Sequence, residues 1–374
     1  MERITPTGSL GRLLDWCMGQ SATDLHAQAD RRYAYRVDGR LLRIPPDVFP
    51  APSNDDVVAM LRAAFSSSIC DRIENQHEMD LSFLCNSLRY RATFSKQQGA
   101  QSFSFRVVPQ RIPQLADLGL PPGLADLVQE PRGLLLVTGA SGQGKSTTVC
   151  ALLQRLNETS ALRVVTIEDP IEYLFVEDQC QFEQREVGVD TDSFADAIRT
   201  AVRQDPEVIF IGEIRDHATA QAAMQAAETG HLVLATLHAD SVPQTIDRIR
   251  EFHPASEQAN ASTLLARGLN AIVCQRLVPG TAGARVPCLE IMRRNGATQE
   301  AIARNDLHLL TGIIESSVNE GMHSFDQHLI QLLKEGTVSL EAARYYAVNW
   351  NRLEMEMHGF ASSLPGILKP DPER

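Results

Sequence analysis

The stretch "GLLLVTGASGQGKSTTVCALLQRLNE", residues 133 to 158, constrains this chain more than any other. An apolar run that reads as a buried strand meets a glycine-rich loop, and the loop opens directly into a long helix. "GASGQGKST" matches G-x-x-x-x-G-K-[ST], and strand, loop and helix in that order are the context the motif requires. Gly139, Ala140, Ser141, Gly142, Gln143, Gly144, Lys145, Ser146 and Thr147 are therefore the candidate phosphate-binding residues. The glycines let successive backbone N–H groups turn inward around phosphate oxygens. Lys145 reaches the β and γ phosphates and Ser146 offers a hydroxyl to Mg²⁺, so the implied ligands are ATP and Mg²⁺.

Around this loop the chain changes character. Residues 1–112 read as an α+β domain: Leu13, Leu14 and Met18 mark a short helix, "YAYRVDGRLLRI" two strands about an Asp38-Gly39 turn, and "DDVVAMLRAAF" an amphipathic helix. "DLSFLCNSLRYRATFSKQQGAQSFSFRVV" predicts short, partly alternating strands around a Gly99 loop. The proline-punctuated residues 113–132 read as a linker. Over 133–358 apolar strands alternate with helices: "LLLVTG", "RVVTI", "EVIFIG" and "LVLATLH" are the strands, with "FADAIRTAVRQ" and "ATAQAAMQAAE" among the helices. That alternation predicts an α/β fold, a parallel sheet covered on both faces. Beyond about residue 255 the pattern is mainly helical with one hairpin near "ARVPCLEIM", and 359–374 reads as a loose tail.

Composition excludes several classes. The net charge of −12, with 35 Lys+Arg against 47 Asp+Glu, lacks the cationic surface that neutralises nucleic-acid phosphates, so no nucleic-acid partner is expected. No apolar run approaches the roughly 18 residues of a membrane span, which predicts a cytoplasmic protein with no transmembrane segment. Seven scattered cysteines without a C-x-x-C pair read as reduced structural thiols.

A hydrolytic phosphate site needs acids beyond its loop. "EVIFIGEIRD" ends a strand on Glu213, a candidate ligand of Mg²⁺ beside Ser146. "TIEDPIEY" gathers Glu168, Asp169 and Glu172 into one turn. If "RVVTI" lies beside the strand that feeds the phosphate loop, that turn sits at the carboxyl edge of the sheet, where open α/β sheets bind ligands. The positive charge that makes such a cluster tolerable is then Mg²⁺ with Lys145 and incoming arginines. "TLHAD" ends a further strand with Thr236 and His238, the latter placed for a γ-phosphate contact or sensor role.

Together "TGASGQGKSTT", "TIEDPIEY", "DPEVIFIGEIRD" and "AAETGHLVLATLHAD" resemble, in order and spacing, the Walker A, Asp-box, Walker B and His-box motifs of the secretion ATPase superfamily. These are the hexameric motors of type IV pili and of type II and type IV secretion, and the pilus-retraction ATPases are the most similar branch. The resemblance extends to "SATDLHAQADRRYAYRVDGRL" near the N-terminus. It implies a PAS-like N-terminal domain, a RecA-like ATPase domain, a ring of six, and an inner-membrane platform protein as partner. The protein would then be peripheral to that membrane through its partners.

Carried over by position, Glu172 is implied as the water-polarising glutamate with Glu168 second, Glu213 as the Walker B acid, and His238 as the His-box residue. Arg89, Arg91, Arg106, Arg199 and Arg203 match family arginines that complete the site. Walker A departs from the family's usual form at Ala140-Ser141 and Gln143. The C-terminal segment "GATQEAIARNDLHLL" stands where retraction ATPases carry an "AIRNLIRE"-type motif, and the cysteine tetrad of many secretion and extension ATPases is missing. A nucleic-acid motor on the same fold, and an ATP-binding accessory subunit of another pilus ATPase, are the alternative readings.

Overall fold

The computed structural model describes residues 2–4, 8–37, 39–86, 88–109 and 111–360, the side chains of 2–4 and 356–360 excepted. Asp38 of the expected turn, and the expected tail beyond residue 360, lie outside the described residues. The chain divides into two compact units, Met1–Arg111 with Glu172–Leu174, and Ile112–Ile171 with Phe175–Arg374.

The first unit is built on a seven-stranded sheet. In chain order its elements are β1 (Glu2–Ile4), α1 (Ser9–Gly19), β2 (Asp24–Gln28), β3 (Ala34–Val37), β4 (Arg40–Arg43), α2 (Asn54–Ala64), α3 (Ser67–Asn75), β5 (Glu78–Cys85), β6 (Leu88–Gln97) and β7 (Ala100–Val107). The strands run in the order β1-β5-β6-β7-β2-β3-β4, antiparallel except where β1 meets β5. β5, β6 and β7 are longer than the expected short strands. Alternate residues of β6 and β7, Tyr90, Phe94, Phe103 and Phe105, point into one aromatic core, and side chains on one face of a pleated strand recur every second residue.

The second unit holds β8 (Gly133–Thr138), α4 (Lys145–Thr159), β9 (Arg163–Glu168), β10 (Gln181–Glu186), α5 (Phe194–Ala201), β11 (Val208–Ile211), α6 (His217–Glu228), β12 (Leu232–Leu237), α7 (Val242–Glu251), α8 (Gln258–Gly268), β13 (Leu269–Pro279) and β14 (Arg285–Arg293). Five short helices close it: α9 (Gly296–Arg304), α10 (Leu310–Ser316), α11 (Phe325–Lys334), α12 (Leu340–Tyr346) and α13 (Trp350–Phe360). The sheet order is β10-β9-β11-β12-β8-β13-β14, parallel from β10 to β13 and antiparallel at β14. Helix α4 covers one face through Leu152, Leu153 and Leu156, and α5 to α8 cover the other through residues such as Ile198, Ala223, Ile246 and Leu265. The α/β expectation of a parallel sheet clad on both sides holds.

Three details differ from the sequence reading. β9 is not beside β8, since β11 and β12 lie between them, although all four strands end at the same edge. The region beyond residue 255 contributes β13 to the middle of the sheet, directly against β8. β13 is buried along nearly its whole length, so it lacks the alternation that separates a strand from a helix. Residues 113–132, read as a linker, pack Leu120, Leu124, Leu127 and Val128 into the core beneath α4.

Two histidines pack together where α11 meets β14. The ring of His328 accepts the Leu289 N–H at 2.8 Å, and His323 lies 4.8 Å from it between ring centres. Burial, and secondarily the neighbouring His328, pushes His323 down to about 4 from an ordinary value of 6.5. A base with a depressed folded pKa stabilises the fold fully above its unfolded pKa, and the contribution is lost as pH falls from 6.5 toward 4. For this one group the loss amounts to about 2 kcal/mol at pH 5. The loss of unfolding free energy between pH 7 and pH 5, measured by chemical denaturation at each pH, is expected to be smaller in His323→Gln by about that amount.

Candidate nucleotide-binding site

The edge of the sheet where β8, β9, β11 and β12 end carries the loop 139–144 with Lys145, and Glu168, Glu213 and His238 among the predicted residues. β8 passes into the loop 139–144, and Gly144, in the left-handed region at φ 81°, stands just before α4. Gly139 is required by crowding as well: a Cβ there would lie 2.4 Å from the Gln275 carbonyl oxygen on β13. Lys145 is buried, and its ammonium donates to the carbonyls of Gly139 (2.7 Å) and Ala140 (3.0 Å). Ser146 and Thr147 follow on the first turn of α4.

The loop is fastened to β13 by side chains. Gln275 donates from Nε2 to the Gln143 carbonyl at 2.7 Å and accepts from Thr148 Oγ1 at 2.7 Å. Gln143 in turn accepts the Leu277 N–H on its Oε1 at 2.6 Å. The Walker A departure at Gln143 therefore has a structural use.

Strand register explains why His238 reaches Lys145. Leu237, the last residue of β12, pairs with Thr138, the last of β8, so the residues that follow each are neighbours. His238 Nδ1 lies 3.2 Å from Lys145 Nζ and Nε2 lies 3.1 Å from Glu213 Oε1. One proton assignment satisfies both contacts: Nδ1 accepts from the ammonium and Nε2–H donates to the carboxylate. Glu213, at the end of β11, also takes the Arg215 guanidinium at 2.8 Å, and Arg215 extends to Asp169 at 3.5 Å. The hydrogen bond to Glu213 holds the Arg215 guanidinium above its ordinary value against the opposing effect of burial. A line of hydrogen bonds and ion pairs thus joins Lys145, His238, Glu213, Arg215 and Asp169.

The three acids of "TIEDPIEY" separate. Glu168 is buried at the end of β9 and accepts from Thr166 Oγ1 at 2.6 Å and Gln184 Nε2 at 3.4 Å. Asp169 is exposed and pairs with Arg215. Glu172 is counted, with Tyr173 and Leu174, in the first unit. Of the arginines, Arg106 pairs with Asp24 at 2.7 Å and Arg199 with Asp196 at 3.0 Å. Arg89 is buried on β6, Arg91 lies two residues further along, and Arg203 is exposed beyond α5.

The sequence reading missed Arg215 and Gln275. Arg215 stands two residues after Glu213, where a cation is needed to hold a carboxylate. As a positioning residue it carries a prediction: Arg215→Ala lowers kcat roughly tenfold, about 1.4 kcal/mol, and changes KM less than about threefold in steady-state ATPase assays. Gln275 stands beside Arg276 after the apolar run 271–274, and of the two Gln275 is the buried one, so its amide needs specific partners.

A loop that cradles phosphate between strand and helix, with an acid and a histidine from two further strand ends beside its lysine, defines a P-loop ATPase. Residues 10–328 match the family described as Type II/IV secretion system protein, and the chain belongs to that family. PilT of Pseudomonas aeruginosa, a type IV pilus retraction ATPase, is 36% identical over 333 residues, covering 89% of this chain and 96% of that protein. A twitching motility protein of Neisseria gonorrhoeae is 35% identical and covers 84% of each chain. The crystal structure of the pilus retraction motor PilT with bound ADP superposes with a TM-score of 0.85 at 35% identity, over 92% of this chain and 98% of that one. Among the described residues no helix is long and apolar enough to cross a membrane.

Proposed function

We propose that this chain is the ATP-hydrolysing subunit of a hexameric ring that drives a type IV pilus machine, retraction being the direction its relatives' names support. The observation that carries the reading is the direct contact of Lys145 with His238 and of His238 with Glu213, which ties the phosphate loop to two neighbouring strand ends. The residues fit the nucleotide: glycines clear the loop, and Ser146 and Glu213 offer the hard oxygen donors that suit Mg²⁺. Bound there, Mg²⁺ would neutralise charge on the β and γ phosphates. Lys145 would leave its two loop carbonyls for phosphate oxygens. His238 would sense that departure, because its Nδ1 loses its donor, and relay it to Glu213 through Nε2–H. Glu172 would polarise the attacking water, with Glu168 second, and arginines from the set 89, 91, 106, 199 and 203 would complete the site across a subunit boundary. An inner-membrane platform protein would receive the force, the ring standing at the cytoplasmic face.

The purified chain is expected to turn over ATP in Mg²⁺, to assemble as a six-membered ring by native mass, and to be required for twitching in its host. Nucleotide binding without turnover would favour the accessory-subunit reading. Turnover that rises with single-stranded DNA and falls with salt would favour a nucleic-acid motor.

A further inference from the structure

We infer that Gln275 is a positioning residue for nucleotide binding, acting through the backbone of the phosphate loop; the inference deepens the ATPase reading and rests on it. A trans peptide points its C=O and the following N–H in opposite directions. Gln275 Nε2 donates to the Gln143 carbonyl at 2.7 Å and so turns that carbonyl toward β13. The Gly144 N–H, the other end of the same peptide, is thereby directed away from β13, and it belongs to the run of amides that a phosphate-binding loop aims at its ligand. Gly144, at φ 81°, has no steric preference of its own for this orientation.

The amide that sets it is itself fixed. Gln275 is 3% exposed, its Oε1 is held by Thr148 Oγ1 at 2.7 Å, and Thr148 is 1% exposed on the helix that the loop opens. The Gln143 side chain does a different job. It accepts the Leu277 N–H at 2.6 Å, beyond Cys274, where the pairing of β13 with β8 ends. One strand therefore holds the loop at two successive points, and only the Gln275 contact grips the peptide that carries a phosphate donor.

Gln275→Met keeps the volume and removes both hydrogen bonds, so it isolates the orientation from the packing. The full-length protein is assayed with Mg·ADP and Mg·ATP by calorimetry and by steady-state hydrolysis. Gln275→Met is expected to weaken ADP binding and raise the KM for ATP about tenfold, with kcat within about threefold. Thr148→Val, which loosens the Gln275 amide without removing it, is expected to show the same split at about threefold. Wild-type affinity in both Gln275→Met and Thr148→Val, or a fall in kcat with KM unchanged, overturns the assignment. If Gln275→Met fails to fold, Thr148→Val alone decides by the same split. Failure of the wild-type chain to bind either nucleotide would defeat the ATPase reading instead.

Discussion

Glu172→Gln is expected to bind ATP within about threefold of the wild-type affinity and to hydrolyse it at least about a hundredfold more slowly. The substitution keeps shape and hydrogen-bonding reach but removes the basic oxygen that would draw a proton from water, a loss general-base catalysis values at about 10² to 10⁴. Binding survives because the groups that would hold phosphate, the loop amides and Lys145, lie on β8, α4 and the loop between them. The comparison that decides the ranking is Glu168→Gln. Glu168 is 3% exposed and already accepts from Thr166 and Gln184, so its loss is expected to show mainly as lowered stability of the β9 end. Stopped single-turnover assays, with nucleotide binding measured separately, check both. Near-normal turnover in Glu172→Gln would remove that residue from the chemistry and pass the role to Glu168.

Lys145→Ala is expected to abolish measurable binding of ATP at micromolar concentration, a loss of at least about a hundredfold or about 2.7 kcal/mol. The ammonium holds the loop carbonyls of Gly139 and Ala140 and faces His238 Nδ1. Its removal takes away the cation that would meet the phosphates and leaves Glu213 and Asp169 with Arg215 as their shared ion-pair partner. Titration with a fluorescent, non-hydrolysable ATP analogue is the direct measurement. The fold is expected to survive, because the packing of α4 rests on Leu152, Leu153 and Leu156 rather than on this residue.

What was legible in the sequence was local. The loop, and the acids and histidine that end apolar runs, announce themselves by residue type at a boundary, and the structure puts His238 within hydrogen-bond reach of both Lys145 and Glu213. The order of the strands was not legible, because adjacency is decided by which faces pack. "RVVTI" and "EVIFIG" look alike, yet β9 lies two strands further from β8 than expected. The hairpin expected near "ARVPCLEIM" is β13 with β14, but the place of β13 against β8 was not legible, since a strand buried on both faces has no period to detect, and the role of Gln275 was missed with it. Gln143 was visible as a member of the phosphate loop and as a departure from a family pattern. Its use, accepting an amide 134 residues away, exists only once the sheet has formed.

That separation has a consequence for the order of events during synthesis. The phosphate loop emerges from the ribosome about 130 residues before β13, which clamps it at Gln275, a sequence separation of 132 from Gln143. Parallel pairing of this kind closes late, because the intervening chain must be ordered first. A nascent chain halted before residue 269 is therefore expected to leave immobilised ADP unbound, while one released beyond residue 293 is retained. The nucleotide reports that the last inner strand has arrived.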